Sequence, residues 1–418
     1  MLLLASGQAA AGYLASPAPR AVREHRVGGA SCSRLRSPVA MRWGERLDKE
    51  SIGDPEAKPT ALQKDHGKLI ITLATTGNIN TKERNPALPC LPEEMADDMH
   101  ECIKLGVSVL HIHARDENNK PTMRVDKFRE TVRRVKERDP DVVIQISTGG
   151  RAPLDGVDPG TWRMDPLNLK PEMASYTPGS VPPPRPQRPT PQPRLAPTRP
   201  PQLADPLRAP RPQVNLGPIV YQNNAKLVQD MAQRFCETGI KPQVEVFDTN
   251  MISNCDLLVK QGLLKRPIDF GFVMGAPGAQ ECSLRQLGHL TSMLQPGDTW
   301  TSIGIGKFEM PLAYMAIAMG GHVRVGLEDN NKTPDGKLAT NYELVKHIVD
   351  VAKVMGREIA TPAEAREMLS MPAAKADEIL PQLDPSVPLD SLVSDWSPYA
   401  DLEQSEGPSL ELRPRAGL

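Results

Sequence analysis

The sequence predicts an α/β protein folded as a (β/α)8 TIM barrel, and three observations lead to this fold class. Eight short apolar runs of strand type alternate with helical patterns between residues 66 and 371. Several of these runs end in ionisable or small polar residues, at the end of the strand where such barrels carry their chemistry. A chain of 418 residues can also hold one large α/β domain. A doubly wound open sheet is the alternative.

The strands and helices follow one another in a regular order. A buried strand is predicted over Lys68–Ala74 and a helix over Pro92–Leu105, with acids in its first turn and a glycine after its end. A strand over Val107–His113 and a helix over Lys127–Val135 come next. Later strands are predicted at Val142–Ser147, Glu172–Tyr176, Gln243–Phe247, Ile268–Val273, Trp300–Ile305 and His322–Leu327, with helices such as Lys226–Glu237 and Tyr342–Val354 between them.

Residues 1–65 do not read as part of a packed domain. The first 43 residues contain six arginines and a single acid, Glu24, a composition typical of an organellar transit peptide. We therefore expect residues 1–65 to be disordered and the protein to be mitochondrial, with chloroplast and cytoplasm as alternatives. An over-extended start, with Met41 as one internal alternative, would produce the same pattern.

Two further segments are predicted to be disordered. Residues 182–213 are rich in Pro, Arg and Gln, which favours disorder or polyproline II inside an otherwise compact domain. A ligand for a proline-binding module is one interpretation, and an insertion or a mistranslated intron is the one we favour. Residues 372–418 are acidic and proline-rich with weak periodicity, so we expect a loose tail there.

Charge and cysteine usage exclude several functions. The net charge is −1, so the sequence carries no basic field for nucleic acid. No apolar run approaches the roughly 20 residues needed to span a membrane. The six cysteines form no CxxC pair and are expected to be free thiols of a reducing compartment.

A possible metal site is divided between two distant segments. His111 and His113 alternate with Ile112 on a predicted strand, so both imidazoles project from one face. Two neutral imidazoles and one carboxylate suit zinc with an open fourth position, and Glu328 is the obvious carboxylate. Histidines buried at a strand end for structural reasons alone are the alternative, and the spacing by itself leaves both open.

Several short motifs, taken together and in order, resemble those of the β-keto acid cleavage enzymes. The resemblance covers about residues 66–371, interrupted by the proline-rich segment, whose flanks would join into a family-like loop if residues 182–213 were removed. The matching stretches are Leu110–Arg115, Gln145–Gly150, Lys170–Ser175, Glu245–Asp248 and His322–Asp329.

This resemblance implies a zinc-dependent TIM barrel, usually a homotetramer, that converts a β-keto acid and acetyl-CoA into a CoA thioester and acetoacetate. It implies that Arg324 and Asp329 assist deprotonation of the keto acid. It also implies three zinc ligands and a substrate-binding group. The zinc ligands are His111, His113 and Glu328, and the substrate-binding group is Ser147, Thr148, Gly149, Gly150, Ser175 and Glu245.

Two departures from the family pattern bear on the substrate. Relatives acting on amino-substituted substrates carry an acid in the loop after the first strand, where this chain has Thr75–Asn80 with amides and no carboxylate. The fifth strand usually carries two acids, but Gln243 replaces the first here. We therefore expect a neutral or anionic β-keto acid rather than an amino-substituted one.

Two other functions compete with this prediction. A metal-dependent amidohydrolase would need more histidine ligands at later strand ends, and His289 and His322 are both poorly placed for that role. A catalytically impaired barrel that serves as a scaffold is the non-enzymatic alternative. The proline-rich segment favours it, since it would emerge at the catalytic face.

Overall fold

The computed structural model describes residues 67–150, 159–181 and 221–392. Ten strands lie in this part of the chain: β1 Ile71–Ala74, β2 Val109–Ile112, β3 Ala114–Arg115, β4 Pro121–Thr122, β5 Val143–Ile146, β6 Met173–Tyr176, β7 Lys241–Val246, β8 Asp269–Met274, β9 Thr299–Gly304 and β10 His322–Val325. The helices are α1 Pro92–Ile103, α2 Val125–Arg138, α3 Pro159–Met164, α4 Ala225–Thr238, α5 Asn250–Lys260, α6 Leu284–Ser292, α7 Glu309–Met319, α8 Asn341–Val354 and α9 Pro362–Met368.

Eight of the strands close into a parallel barrel in the order β1, β2, β5, β6, β7, β8, β9, β10. Thr72 of β1 lies opposite Val109 on one side and opposite Arg324 on the other, so β1 closes the ring. The predicted TIM barrel is therefore confirmed, and the open sheet is wrong. Each barrel strand coincides with one of the eight apolar runs, because strands covered on both faces need apolar side chains almost throughout.

An apolar plug separates the two ends of the barrel. Ile70, Val109, Val143 and Met173 form a buried cluster of their own with residues of α9 and its flanks. Side chains two positions further along a strand point to the same side. His111, Gln145 and Ser175 occupy those positions, and all three are buried polar residues. The barrel interior thus changes from apolar to polar towards the carboxyl ends of the strands.

Two local features were not predicted from the sequence. The segment after β2 forms an antiparallel pair, β3 with β4, before α2 begins. β10 ends at Val325 rather than Leu327, because the chain turns at Gly326, whose φ is +146°. Glu328 and Asp329 therefore lie on a turn beyond the strand rather than on its face.

The expected loose tail over residues 372–418 is wrong for its first part. Three short 3-10 helices, Ala373–Asp377, Leu380–Leu383 and Leu389–Leu392, continue the ordered chain. Ile379, Leu383 and Leu392 are buried in the main core, which stabilises this segment despite its weak periodicity. The compact part of the chain thus extends at least to Leu392, and residues 393–418 lie outside the described residues.

The predictions for residues 1–65 and 182–213 fall outside the described residues. The chain leaves the described part at Val181 and returns at Tyr221, and these two residues form an antiparallel bridge. Their backbone N–H groups and carbonyl oxygens bond reciprocally at 2.9 and 3.1 Å. The five described cysteines form no disulfide. No helix in the described ranges has the length and apolar character required to cross a membrane.

Candidate metal centre and active site

The three expected metal ligands meet at the carboxyl end of the barrel. His111 lies near the end of β2, His113 directly follows it, and Glu328 approaches from the turn after β10. β1 lies between these two strands and contributes only small groups there. Glu328 donates its backbone N–H to Ala74 O at 3.1 Å, and a Cβ on Gly77 would stand 2.4 Å from Glu328 Cγ. A larger residue at Gly77, in the loop after β1, would therefore push the carboxylate away from the histidines.

The donor atoms converge at distances that suit one ion. The two Nε2 atoms of His111 and His113 are 3.2 Å apart, and a tetrahedral zinc with ordinary bond lengths separates two nitrogens by about 3.3 Å. The Glu328 carboxylate lies 3.2 Å from His113 Nε2 and 3.8 Å from His111 Nε2. Within the described ranges this is the one group of His, Cys, Asp or Glu side chains that fits a metal.

The surroundings of these residues match what a metal ligand requires. His111 Nδ1 donates to Gln145 Oε1 at 2.7 Å, which leaves the lone pair on Nε2 facing the other ligands. Burial lowers the pKa of His111 to about 3, so the imidazole is neutral. Glu328 Oε2 is buried and has no hydrogen-bond partner among the described residues. An uncompensated buried carboxylate oxygen is costly unless a cation sits against it.

Arg324 connects the candidate metal ligand with the candidate base. Its Nε and Nη2 donate to the two oxygens of Asp329 at 2.8 and 2.9 Å, a bidentate pair. The same guanidinium donates to Glu328 at 2.6 Å and to Glu245 at 3.2 Å. One cation therefore contacts three carboxylates, all nearly buried. Glu245, one of the residues that the resemblance places in the substrate-binding group, thus lies beside Arg324.

The three carboxyl groups differ in how readily they ionise. Burial opposes the charge of Glu328, but the guanidinium of Arg324 holds the pKa of Glu328 well below its ordinary value. Burial raises the pKa of Asp329 to about 7, with Arg324 acting against it and Glu328 adding to it. Burial also raises the pKa of Glu245. Asp329 is thus the carboxyl whose pKa lies where a general base works best near neutral pH.

The predicted substrate-binding residues lie together after β5 and β6, but several contact one another. Thr148 donates its N–H to Ser175 Oγ at 3.0 Å and its hydroxyl to Ser175 O at 2.7 Å. Gly149 donates its N–H to Ser147 Oγ at 3.1 Å. The backbone N–H groups of Thr148 and Gly149 are therefore already used within this part of the site. Ser147 still has its own proton to donate, because its oxygen acts as the acceptor in this contact.

Other polar residues of the site were missed in the sequence. Gln145 orients His111, and its position two residues before Ser147 on the same strand could have indicated it. Asn78 donates to Gly149 O at 2.6 Å, so the loop after β1 is fastened to the loop after β5. Arg163 and Tyr221 lie behind Gly149 and Gly150, and no sequence signal pointed to either.

Comparison with known proteins gives three findings. A family model described as beta-keto acid cleavage enzyme matches residues 68–371. The chain is 36% identical over 306 residues to the 3-keto-5-aminohexanoate cleavage enzyme of Fusobacterium nucleatum, a match covering 73% of this chain and 98% of that enzyme. It is 30% identical over 312 residues to the 3-oxoadipate:acetyl-CoA acetyltransferase of Cupriavidus necator, covering 74% and 96% of the two chains.

A solved structure supports the architecture. The apo structure of ObcA superposes with a TM-score of 0.53 and 21% identity, covering 68% of this chain and 66% of that one. At this level of identity the likeness concerns the fold alone.

Proposed function

The chain belongs to the beta-keto acid cleavage enzyme family, and on that premise we propose that it transfers acyl and CoA groups between a β-keto acid and acetyl-CoA. The products would be acetoacetate and a new acyl-CoA. The single observation that carries this proposal is the convergence of His111, His113 and Glu328 beside the Arg324–Asp329 pair. A carbon-acid substrate needs both an electrophile for its oxygens and a base for its proton, and this arrangement offers both.

The donor set fits Zn²⁺, with His111, His113 and Glu328 as the residues that would hold it. Two imidazoles and one carboxylate leave a position for substrate, the pattern of catalytic rather than structural zinc. When bound, the ion would supply Lewis acidity towards the oxygens of a keto acid. The buried, unpartnered Glu328 Oε2 supports this assignment.

Asp329 is proposed to take the proton from the carbon between the two carbonyl groups. Its carboxylate is 2% exposed on the side chain, which keeps water from competing for the proton. Arg324 holds both carboxylate oxygens in plane and so fixes the direction in which the free lone pairs point. The same cation can stabilise an oxyanion that develops during attack on the thioester. The described cysteines are not required, because the substrate's own carbanion is the nucleophile.

The substrate charge follows from the loops around the metal centre. Asn78 and Asn80 use their amide N–H groups on backbone oxygens of Gly149 and Leu327, and neither carries a charge that could hold an ammonium group. We therefore propose a neutral or anionic β-keto acid. The two relatives differ in this respect, since the substrate in the name of the first carries an amino group and the substrate in the name of the second does not.

The competing functions have less support. An amidohydrolase would need a further histidine at the centre, but His322 accepts a hydrogen bond from Ile70 N–H at the opposite end of its strand. His289 lies on α6, exposed to solvent. A catalytically impaired scaffold would be expected to have lost part of the polar cluster, whereas the described residues bring the three ligands, Arg324 and Asp329 together.

Assembly and location remain proposals that rest on the family and on composition. We propose a homotetramer, which light scattering of the purified protein would test. We propose a mitochondrial location, with chloroplast and cytoplasm as alternatives. Imaging of a fluorescent fusion with and without residues 1–65 would test it, since only a targeting segment changes location when removed.

One screen tests the reaction. Purified zinc-loaded protein is incubated with acetyl-CoA and a panel of β-keto acids that includes amino-substituted, neutral and dicarboxylic members, and acetoacetate is measured. We expect acetoacetate with at least one neutral or anionic substrate and a higher kcat/KM than for the amino-substituted ones. A preference for the amine would contradict the charge argument, and absence of acetoacetate with every substrate would contradict the proposed reaction.

A further inference from the structure

A second polar cluster lies beside the metal centre, on the side of the loop after β5. Arg163 of α3 is 3% exposed and donates three hydrogen bonds. Its Nε donates to Thr148 O at 2.6 Å and its Nη1 to Asn223 Oδ1 at 2.6 Å, while its Nη2 donates to the phenolic oxygen of Tyr221. All three acceptors are neutral oxygens, so none of them cancels the positive charge of Arg163.

The phenol of Tyr221 is held in one orientation by this contact. Its oxygen accepts from Arg163, and the guanidinium carbon also lies 4.7 Å from the centre of the tyrosine ring. Burial raises the pKa of Tyr221 above its ordinary value, so the phenol keeps its proton at neutral pH. A neutral phenol whose lone pair is already used by a cation is a strong hydrogen-bond donor for an anion.

Gly149 lies where the hydroxyl groups of Ser147 and Tyr221 approach the candidate metal centre. A Cβ built on Gly149 would stand 3.3 Å from Ser147 Oγ, 3.9 Å from Tyr221 Oη and 4.0 Å from His113 Cε1. This face of Gly149 is therefore bordered by a serine hydroxyl, a tyrosine hydroxyl and a candidate metal ligand. Both hydroxyl groups thus lie on the side of Gly149 that faces the candidate metal ligand His113.

We propose that Tyr221 binds the carboxylate of the β-keto acid above Gly149, together with Ser147, and that Arg163 positions its phenol. This inference rests on the proposed function and adds a specificity residue that distinguishes carboxylates from neutral analogues. Arg163 contributes in two ways, since it fixes the phenol and supplies positive potential that favours an anionic group. The hydrogen bond from Arg163 to Thr148 O also fixes the position of the loop after β5 relative to the phenol.

The test compares acetoacetate with acetoacetamide, its neutral isostere. Affinities of both for the zinc-loaded protein are measured by isothermal titration calorimetry in the wild type and in Tyr221→Phe. We expect the dissociation constant of acetoacetate to rise about tenfold or more, the usual effect of losing a hydrogen bond to a charged group, and that of acetoacetamide to change much less. Tyr342→Phe is the matched control, because Tyr342 is 41% exposed and lies outside this cluster.

Two further variants separate a positioning role from a structural one. Gly149→Ala should weaken acetoacetate binding by filling the space between Ser147 and Tyr221. Arg163→Lys should reduce the preference for acetoacetate over acetoacetamide when Tyr221 is present but not in the Tyr221→Phe background. Equal zinc content and equal Tm across the variants establish that the fold and the metal centre are intact.

The outcomes distinguish this inference from the proposed reaction. The role of Tyr221 would be overturned if Tyr221→Phe bound acetoacetate as tightly as the wild type, or if it lost affinity for acetoacetate and acetoacetamide equally. Neither result would bear on the proposed reaction. Selective loss of acetoacetate in a protein that forms no acyl-CoA would support the Tyr221 contact and contradict the reaction. A wild type that binds no acetoacetate would contradict both.

Discussion

Arg324 shows at the level of one residue why charge alone does not define this site. Three acids compete for its guanidinium, and only Asp329 is held by two parallel hydrogen bonds. The Arg324–Asp329 pair therefore differs from an ordinary ion pair, because its two parallel hydrogen bonds also fix the orientation of the carboxylate. Arginine and lysine are not equivalent in this setting, because an ammonium group cannot make the planar fork.

The two histidines give the first prediction. His111→Ala and His113→Ala should each lose bound zinc, falling from about one ion per chain to nearly none, because two remaining ligands hold zinc poorly. Metal analysis of the purified variants measures this directly. His289→Ala, which alters an exposed histidine on α6, is the control and should retain the metal. Unchanged zinc in both strand-end variants would refute the ligand assignment.

Asp329 gives the second prediction. Asp329→Asn should keep zinc and fold but lose at least about a hundredfold in kcat, since an amide cannot accept the carbon-acid proton. Arg324→Lys should also be poor, because the lysine cannot hold both oxygens of Asp329. Steady-state kinetics together with zinc analysis separates these effects from loss of the metal. Wild-type turnover by Asp329→Asn would show that the base lies elsewhere.

At the level of elements, the barrel strands were predictable and the turns between them were not. Buried parallel strands are recognisable because apolar residues must fill both faces. The pair β3–β4 and the end of β10 at Val325 depend on backbone dihedral angles that hydropathy does not encode. The same limit explains the loop after β5, where Gly149 N–H contacts Ser147 rather than open space.

Residues that act through contacts between distant parts of the chain could not be predicted from the sequence either. Arg163 and Tyr221 are 58 positions apart, and each alone looks like an ordinary helix or loop residue. The metal ligands could be found because His111 and His113 share a strand and the family motifs identify Glu328. The first turns of the tail were missed because Ile379, Leu383 and Leu392 follow no single period.

His322 at the start of β10 gives a prediction about acid stability. Its Nδ1 accepts a hydrogen bond from Ile70 N–H at 3.2 Å, and burial lowers its pKa from 6.5 to about 3. The unfolded chain therefore binds a proton below pH 6.5 that the folded chain rejects. The stability from the neutral imidazole is complete above pH 6.5 and is lost as the pH falls towards 3, by up to about 1.4 kcal/mol per pH unit.

This dependence can be isolated by substitution. His322→Asn keeps an acceptor for Ile70 N–H but does not titrate, so its Tm should fall less steeply than that of the wild type between pH 6.5 and 4. Calorimetric melting at several pH values measures the two slopes, and His289→Asn should behave like the wild type. Parallel slopes for His322→Asn and the wild type would mean that another group governs acid unfolding.

On the scale of the whole molecule, the segment between Val181 and Tyr221 gives the fourth prediction. Residues 182–213 are almost free of apolar side chains able to offset the cost of ordering. Joining Val181 directly to Asn215 should leave a folded, active protein, and activity can rise because the loop after a barrel strand borders the catalytic face. Melting and steady-state kinetics of the shortened chain test this.

Limited proteolysis provides an independent measurement. Trypsin should cut the full chain first at the arginines of residues 182–213, whereas the shortened chain should resist under the same conditions. A protease-resistant segment, or a deletion that prevents folding, would show that residues 182–213 belong to the structure.

The two hydrogen bonds between Val181 and Tyr221 hold the ends of this segment together. The length of the segment should therefore have little effect on the rest of the protein. The entropy of closing a loop grows only with the logarithm of its length, about 0.6 kcal/mol for each doubling. Homologous genes can therefore lengthen or shorten this stretch almost neutrally, so its length should drift faster than any other between species. The same tolerance makes it a natural point to graft an environment-sensitive fluorophore, which would report ligand arrival from a few residues away from Tyr221.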